Sequence, residues 1–405
     1  MKRPLAFLLA TVFLDMLGLG LIVPIAPALL TSLTGHASSA AVWSGLIQSS
    51  YGVLQFLSAS VLGRAADRYG RRPVLVGSAL LLGIDFLTHS IASQAWQLLV
   101  AHALAGLFAG NQLAVNAYIA DVATPQQRAR AFGLVGASMA VGFIAGPAIG
   151  GPLGAVNVRL PYLVAGGLAL VNAAYGWLVL PESRPGDRRT SLSWRVANPF
   201  GSVTALFRRP TLGGLALSRM CRDIARVIDQ ETWVFFMMNR FGWSTTHVGV
   251  TMAASAALSG VVGAKLTGPV IERFGARRVA LWATGLDACT FAGYAFLPSG
   301  IYAYPLIVTG VIAGLSAAAV STLIANATDP NEQGTVQGAF GGIGALTGTV
   351  VPVAAAALFA ITIHTRWPGM VFAVGAVMLV GSAAALRRLR PAHDRHRFPV
   401  GDPVA

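Results

Sequence analysis

The sequence predicts an all-α polytopic membrane protein. Charged residues make up only 11% of the 405 residues and hydrophobic residues 55%, and the mean hydropathy is +0.65. A soluble globular chain carries about 25% charged residues, so this chain has too little charge to cover a body surrounded by water. The apolar runs are continuous rather than alternating, which is typical of membrane helices and not of a transmembrane barrel. At about 20 residues per spanning helix, the chain has room for about twelve.

The apolar runs form twelve segments in two groups of six. Their approximate bounds are 5–33, 41–62, 74–93, 96–120, 131–156, 160–180, 211–238, 245–267, 279–298, 302–326, 336–362 and 369–386. We therefore predict two six-helix bundles, at 1–180 and 211–390, joined by a cytoplasmic loop at 181–210 and followed by a cytoplasmic tail at 391–405. Because the first run is longer than the apolar core of a signal peptide, we interpret it as the first spanning helix.

The basic residues lie on one side of the predicted membrane. The net charge is +14. If the N-terminus is cytoplasmic, the turns on that side carry 22 Lys and Arg residues and those on the other side carry three. Positive charge concentrates in cytoplasmic loops, so we expect a multi-pass protein of the inner (plasma) membrane with both termini in the cytoplasm. The same asymmetry explains the basic composition without nucleic-acid binding.

The sequence lacks the motifs of common enzymes and ATP-driven pumps. It contains no phosphate-binding loop, no HExxH zinc motif and no GxSxG nucleophile motif. Its two cysteines, Cys221 and Cys289, lie in apolar segments and do not have the spacing of a metal site. We therefore predict a transporter rather than an enzyme, without resident cofactor or metal, whose energy comes from an ion gradient.

A repeat relates the two halves. The run GRAADRYGRRP, which begins at Gly63, aligns with GPVIERFGARR 205 residues later. In the first copy, Gly63 allows close helix approach, and Asp67 can pair with Arg71 or Arg72. Such ion pairs can hold two helix ends together in one conformation and release them in another. The alternative is an ordinary basic loop on the cytoplasmic side. The ordered motif resembles the signature of the major facilitator superfamily, which implies two parallel six-helix repeats around a central cavity.

The fifth segment contains a glycine stripe. In GASMAVGFIAGPAIGGPLG, Gly142 and Gly146 are four residues apart and leave a smooth face for a neighbouring helix. Pro147 removes one helix hydrogen bond and permits a kink. Ordinary helix packing explains such glycines as well. The stretch also resembles the antiporter signature of drug/proton exporters, which implies exchange of a substrate for protons.

Three acids lie inside apolar segments, at Asp15, Asp85 and Asp287. A charged Asp at the centre of a membrane helix costs about 2.5–3.5 kcal/mol, so such residues are candidates for function. A carboxyl group that loses its water takes up a proton more readily, as a proton carrier requires. The alternative is a static ion pair or a hydrogen bond to a neighbouring helix.

Nearly the whole chain resembles the bacterial tetracycline/proton antiporters. The resemblance is carried by LDMLGLGLIVPIAPALL, GIDFL, GLDACTFAGYAF and NRFGW. It implies that the intramembrane acids serve proton coupling and the binding of a cationic drug, for which a metal chelate is one form. The chain departs from the family at His102, where the family has Arg, and at Ser259 and Gly263, where it has His and Gln. His102 is either a switchable proton site or a neutral packed residue.

The seventh segment carries a stripe of charge. Arg219, Arg222, Asp223, Arg226 and Gln230 follow a spacing of three to four residues and share one helix face. The stripe must face a cavity or other helices, either as a self-neutralised network or with Arg222 or Arg226 bound to an anionic part of the substrate. The second possibility leaves open a proton-coupled transporter of an organic anion or nutrient. Further cavity residues are predicted to be Gln48, Gln55, Asn111, Asn116 and Trp233. We expect a monomer whose partners are a small-molecule substrate, protons and the lipid bilayer.

Overall fold

The computed structural model describes residues 2–122, 124–183, 199–329 and 332–389, and these are almost entirely helical. The predicted tail at 391–405 and residues 184–198 of the predicted central loop lie outside the described residues. The helices of the first half are α1 (Lys2–Ile22), α2 (Ala26–Thr34), α3 (Ala37–Tyr69), α4 (Arg71–Ile91), α5 (Ala95–Leu107), α6 (Asn111–Val122), α7 (Pro125–Val156) and α8 (Leu160–Val179).

The second half has a similar order of helices, with an additional short helix at its start and an unbroken first spanning segment. Its helices are α9 (Pro199–Phe207), α10 (Pro210–Phe241), α11 (Thr245–Lys265), α12 (Thr267–Phe274), α13 (Ala276–Ala295), α14 (Ala303–Ala313), α15 (Leu315–Asn326), α16 (Gln333–Thr362) and α17 (Met370–Arg388). The short helix α9 falls in the stretch that the sequence predicts as loop. It packs on α10 and α16, where Leu206 is buried.

Several predicted segments consist of two helices. The first segment breaks between α1 and α2, where Pro27 occupies the first turn of α2. The fourth breaks between α5 and α6 at Phe108 and Ala109. Proline is accepted in a first helical turn because the N–H groups there have no partner within the helix.

Eight helical stretches of the described chain are long and apolar enough to cross a membrane. The four predicted segments outside that set are α3, the α5–α6 pair, α10 and α13. These four carry Gln48, His102, Arg222 and Asp287, respectively. Polar side chains in membrane helices face a cavity or other helices rather than lipid. The four segments that are least apolar are therefore those expected to surround a central cavity.

The two bundles approach each other closely at one end. A Cβ atom added to Gly45 of α3 would lie 2.6 Å from Ala356 of α16, and one added to Gly151 of α7 would lie 2.5 Å from the Thr245 carbonyl oxygen of α11. At the other end of α7 and α11, a Cβ atom on Gly136 or Gly260 would meet no atom within 4 Å. We call these the closed end and the open end. The open end is the one at which α1 begins and α17 finishes.

Candidate functional site

A carboxylate, an imidazole and an amide form a continuous contact in the amino-terminal bundle. Asp85 of α4 is 1% exposed, and its Oδ2 lies 2.8 Å from Nδ1 of His102 on α5. The other ring nitrogen, Nε2, lies 2.9 Å from Oε1 of Gln48 on α3. A neutral imidazole has only one N–H, whereas the charged ring donates from both nitrogens. His102 can therefore bond both neighbours either as a charged ring that donates twice, or as a neutral ring that donates to Asp85 and accepts from the Gln48 amide nitrogen.

A second histidine completes this cluster. His89, one turn after Asp85 on α4, has its Nδ1 2.9 Å from the Asp85 carbonyl oxygen and 3.2 Å from Oδ1. Tyr162 stacks on His89 at 5.2 Å, and Tyr51 stacks on His102 at 4.7 Å between ring centroids. His89 is not among the predicted site residues. Its spacing of four residues from Asp85, which places the two on one face of α4, is the signal that could have identified it.

The same cluster has the residue types of a metal site. Potential ligand atoms of Asp85, His89 and His102 lie within 4.8 Å of one another. A ring nitrogen must be unprotonated to bind a metal. Nδ1 of His89 faces a carbonyl oxygen, and both nitrogens of His102 face oxygens, so these three contacts are those of proton donors. The geometry is better suited to holding a proton than a metal ion.

Asp15 has a separate partner. It is 9% exposed on α1, and the side-chain amide of Asn111 donates a hydrogen bond to its Oδ2. Asn111 is the first residue of α6, so the break between α5 and α6 brings this amide to the acid. Oδ1 of Asn111 is buried and has no hydrogen-bond partner among the described residues. Of the other predicted cavity residues, Gln55 and Asn116 are exposed on α3 and α6.

The charged stripe of α10 neutralises itself in large part. Nε of Arg219 lies 2.9 Å from Oδ2 of the buried Asp223, and Nε of Arg226 lies 3.9 Å from Oδ1 of the same carboxylate. Arg222 interacts electrostatically with Asp287 on α13. These contacts are those of a self-neutralised network, which is one of the two alternatives for the stripe.

The opposite face of α10 reaches the amino-terminal bundle. Here α10 packs on α3, and Glu231 and Gln48 are close enough to interact electrostatically. Two residues further on, Trp233 contacts Tyr294 and packs edge-on against Trp243, with centroids 5.8 Å apart. Periodicity alone cannot reveal that this other face of α10 meets α3.

The signature motif lies in helices rather than in a loop. Gly63 and Asp67 belong to the end of α3, Arg71 begins α4, and the connection is Gly70 alone, with φ of +109°. Nη2 of Arg71 lies 2.7 Å from Oδ1 of Asp67, and its Nε lies 3.4 Å from Oδ2 of Asp121 on α6. In the second half, the equivalent glycine also has a positive φ, +80°. The repeat is therefore present in the backbone.

The side chain of Glu182, which is distant in the sequence, caps the amino-terminal end of α4. The Glu182 carboxylate accepts hydrogen bonds from the backbone N–H groups of Arg71, at 2.8 Å, and Arg72, at 3.2 Å. A negative charge at this position also interacts favourably with the helix dipole. The Arg72 guanidinium donates a hydrogen bond to the Trp177 carbonyl oxygen, and it lies 5.4 Å from the centroid of the Trp177 ring. A side chain at Gly70 would collide with Glu182.

The glycine stripe of α7 packs within its own bundle. A Cβ atom on Gly142 would lie 2.5 Å from the Phe13 carbonyl oxygen of α1, and one on Gly146 would lie 2.5 Å from Cα of Gly20. Pro147 lies within α7 and faces α11 of the other bundle through its carbonyl oxygen. The stripe is thus continuous with the place where the two bundles meet at the closed end.

The chain has extensive similarity to known transporters. It matches the family model described as Major Facilitator Superfamily over residues 8–352 and 232–403. It is 33% identical to a class C tetracycline resistance protein of Escherichia coli, over 96% of this chain and 97% of that protein. It is 31% identical to a class G tetracycline resistance protein of Vibrio anguillarum, over 96% and 98%.

Solved structures resemble the chain in fold. A nucleoside transporter superposes with a TM-score of 0.78 at 14% identity, covering 96% of this chain and 99% of that one. A human organic anion transporter superposes with a TM-score of 0.68 at 20% identity, covering 95% and 99%. At such identities the likeness concerns the fold alone. With its helical repeats and the match to the family model over most of its length, the chain belongs to the major facilitator superfamily.

Proposed function

We propose that this transporter exports a small drug-like compound of the tetracycline type in exchange for protons. The observation that carries the proposal is the contact between the buried Asp85 and the half-buried His102, which is placed to hold a proton. The names of the relatives that are 33% and 31% identical over nearly the full length support the substrate class.

Exchange follows if proton and substrate compete for the same carboxylates. A cationic drug stabilises a deprotonated acid, and a proton neutralises it. Asp15 and Asp85 in one bundle and Asp287 in the other are the acids we assign to this competition. One proton that crosses 100 mV releases about 2.3 kcal/mol, enough for roughly 50-fold accumulation of the exchanged compound.

Alternating access requires that each end opens in turn. With both termini in the cytoplasm of a cell bounded by the inner membrane, the open end faces the cytoplasm and the closed end faces outward. The contact of Asp67 with Arg71 and the Glu182 cap then belong to the cytoplasmic gate. We propose that a single copy of the chain carries out the cycle, because both bundles and the cavity between them come from one chain.

The ion pairs of the charged stripe favour a cationic substrate over the alternative of an organic anion. Arg219 and Arg226 share the Asp223 carboxylate, and Arg222 faces Asp287. An anion at Arg222 or Arg226 would have to displace these acids.

The test is export from a host that lacks its own efflux pumps, with a panel of tetracyclines and unrelated planar cations. Expression should raise the inhibitory concentration of at least one tetracycline. Everted vesicles should accumulate that compound only while a pH gradient is maintained. Thr88→Val is a matched control on α4, since Thr88 is half-buried and its hydroxyl bonds only to the Ile84 carbonyl oxygen of its own helix. No change in susceptibility together with no gradient-driven uptake would reject the proposal.

A further inference from the structure

A groove lies between α4 and α5 of the amino-terminal bundle. It has a volume of about 320 Å³. Its walls are large apolar side chains that are exposed on the two helices, among them Ile84, Val100 and Leu104. Exposed apolar side chains of a membrane bundle face lipid, whereas polar side chains face a cavity or other helices. This α4–α5 groove therefore opens to the bilayer rather than to the central cavity.

Small residues on α5 create the groove. Ala101 and Ala105 line it, and their spacing of four residues places them on one face of α5. The larger Val100 and Leu104 stand beside them with the same spacing. Alanine at such positions usually allows a neighbouring helix to approach closely. The volume above these two alanines is instead left as a cavity between the larger side chains.

The groove lies in the half of the bilayer next to the closed end. Since α3 passes from the closed end to the open end, α4 returns to the closed end and α5 begins there. Asp85, which also lines the groove, is six residues before the end of α4, or about 9 Å along the helix axis. Trp96 lines it in the first turn of α5 and is exposed, as is typical of tryptophan where a membrane meets water. A compound dissolved in this leaflet can reach Asp85 without passing the contact between the bundles.

One carboxylate oxygen of Asp85 lacks a hydrogen bond. Oδ2 contacts Nδ1 of His102 at 2.8 Å. Oδ1 lies 3.2 Å from Nδ1 of His89, but that nitrogen bonds the Asp85 carbonyl oxygen at 2.9 Å. Oδ1 is buried and has no hydrogen-bond partner among the residues that the structure describes. A buried carboxylate oxygen in this condition is stabilised by a donor that arrives through the groove.

The donor best suited to this oxygen is an ammonium group. With a neutral His102 that donates to Oδ2, Asp85 keeps its negative charge, and it is the only charged residue among those that line the groove. A carboxylate in apolar surroundings is stabilised by an opposite charge in direct contact with it. His89 and His102 are the titratable side chains that contact Asp85, and both must be uncharged for an ammonium group to bind beside them.

We infer that the α4–α5 groove binds small lipophilic amines from the bilayer, with the ammonium group on Oδ1 of Asp85 and the apolar body over Ala101 and Ala105. A volume of about 320 Å³ is at the lower end of the range for small-molecule sites, so the ligand must be small. The inference goes beyond the proposed export, because the site lies outside the central cavity and binding needs no transport. The competing occupant, a lipid acyl chain, would fill the same walls without using Asp85.

The test uses two photoreactive probes that differ in charge. A benzylamine that carries a diazirine is compared with the corresponding benzyl alcohol, in lipid nanodiscs without tetracycline or a pH gradient. After illumination, the labelled residues are identified by mass spectrometry of the digested protein. The amine should label the walls of the groove, at Ile84, Val100 or Leu104, several-fold more than the alcohol does. An excess of plain benzylamine should suppress this labelling.

Substitutions in the groove and away from it separate charge from shape. Asp85→Asn should reduce labelling by the amine to the level of the alcohol. Ala101→Phe should reduce labelling by both probes, because the ring fills the floor of the groove. Asp287→Asn removes an equivalent charge from the other bundle, and Ala174→Phe adds the same ring at an exposed position of α8. Both of these controls should keep the labelling of the parent chain.

Equal labelling by the two probes, or amine labelling that survives in Asp85→Asn, would overturn the inference. Either result would show that the groove accepts acyl chains and other apolar groups without regard to charge. Absence of labelling in the groove would overturn it as well. Because neither probe is a tetracycline and no transport is measured, failure to find an exported drug would reject the proposed function and leave this result unchanged.

Discussion

The Glu182 carboxylate accepts the backbone N–H of Arg71 at 2.8 Å, although 111 residues separate them in the sequence. Arg71 in turn pairs with Asp67 at 2.7 Å. The end of the sixth predicted span is thereby connected to the turn between the second and third. The proposed gate at the turn between α3 and α4 therefore also depends on Glu182, which follows the last helix of the bundle.

Replacing Glu182 by Ala should slow transport at least several-fold with little change in substrate affinity. The change removes the anion that caps α4, an interaction worth about 1 kcal/mol at a helix end. Initial rates in reconstituted vesicles, over a range of substrate concentrations, separate the two effects. Glu332→Gln is the control, because Glu332 pairs with Arg209 at an exposed site away from this gate. Equal rates for the two variants would show that the cap does not matter.

Asp67→Asn should slow transport strongly while expression and substrate affinity remain near normal. The substitution keeps the shape of the side chain and removes the charge that pairs with Arg71 at 2.7 Å. Because the proposed role of Asp67 is conformational, substrate binding to the resting protein should not depend on the charge of Asp67. Binding titrations and transport rates on the same preparation provide the measurement. A rate equal to that of the parent chain would contradict this role.

Asn at Asp15 or at Asp85 should abolish uphill export driven by a pH gradient. An amide cannot release a proton, so neither variant can couple the gradient at that site. Downhill exchange of substrate should survive because it needs no net proton release. Both reactions can be followed in vesicles with and without an imposed gradient. If both variants still build a substrate gradient at the parental rate, the coupling proton is held elsewhere, with His102 and the acids of α10 next to be tested.

Gly45→Val should prevent the closed end from forming. Even a Cβ atom at Gly45 would lie 2.6 Å from Ala356 and 2.7 Å from the Pro352 carbonyl oxygen, and a branched side chain has no room to turn away. The distance between the outer ends of α3 and α16 should increase, and transport should stop. Gly260→Val is the matched control, since a Cβ atom there meets nothing within 4 Å. A short distance in the Gly45 variant would be the contrary result.

The face of α10 that carries the arginines should be open to water. Cysteine at Arg226, whose side chain is 55% exposed, should react with a membrane-impermeant thiol reagent in a background without Cys221 and Cys289. Cysteine at the adjacent Val227, which is 5% exposed, should react much more slowly. Labelling is quantified in detergent-free membrane fragments. Similar rates at the two positions would contradict a one-sided face.

The helical character of the chain could be predicted from its sequence because lipid permits few other structures. Continuous apolar runs and the distribution of arginine locate the segments. The breaks are harder to predict: the loop before Asn111 interrupts a run that reads as one helix, and this interruption brings the amide to Asp15.

The candidate site could be predicted only in part from the pattern of apolar and polar residues. Asp85 and His102 are conspicuous as polar residues in apolar segments. The contact of His102 with Gln48 depends on how α5 meets α3, and no local pattern encodes that meeting. Glu182 adjoins the polar stretch between the bundles, where an acidic residue is common and does not indicate a function. Its role depends on a partner more than one hundred residues away.

The charged network of α10 has a consequence for biogenesis. Three arginines and three acids lie between Arg219 and Glu231, and each charged side chain costs about 2.5–3.5 kcal/mol at the centre of an isolated spanning helix. Such a helix cannot enter lipid alone at acceptable cost. Because Arg222 interacts electrostatically with Asp287 on α13, and α10 packs on α3 and α16, helices made before and after α10 help to shield its charges. We therefore expect α10 to wait at the translocation channel until α13 has been synthesised, so that the second bundle is released into the bilayer as a unit.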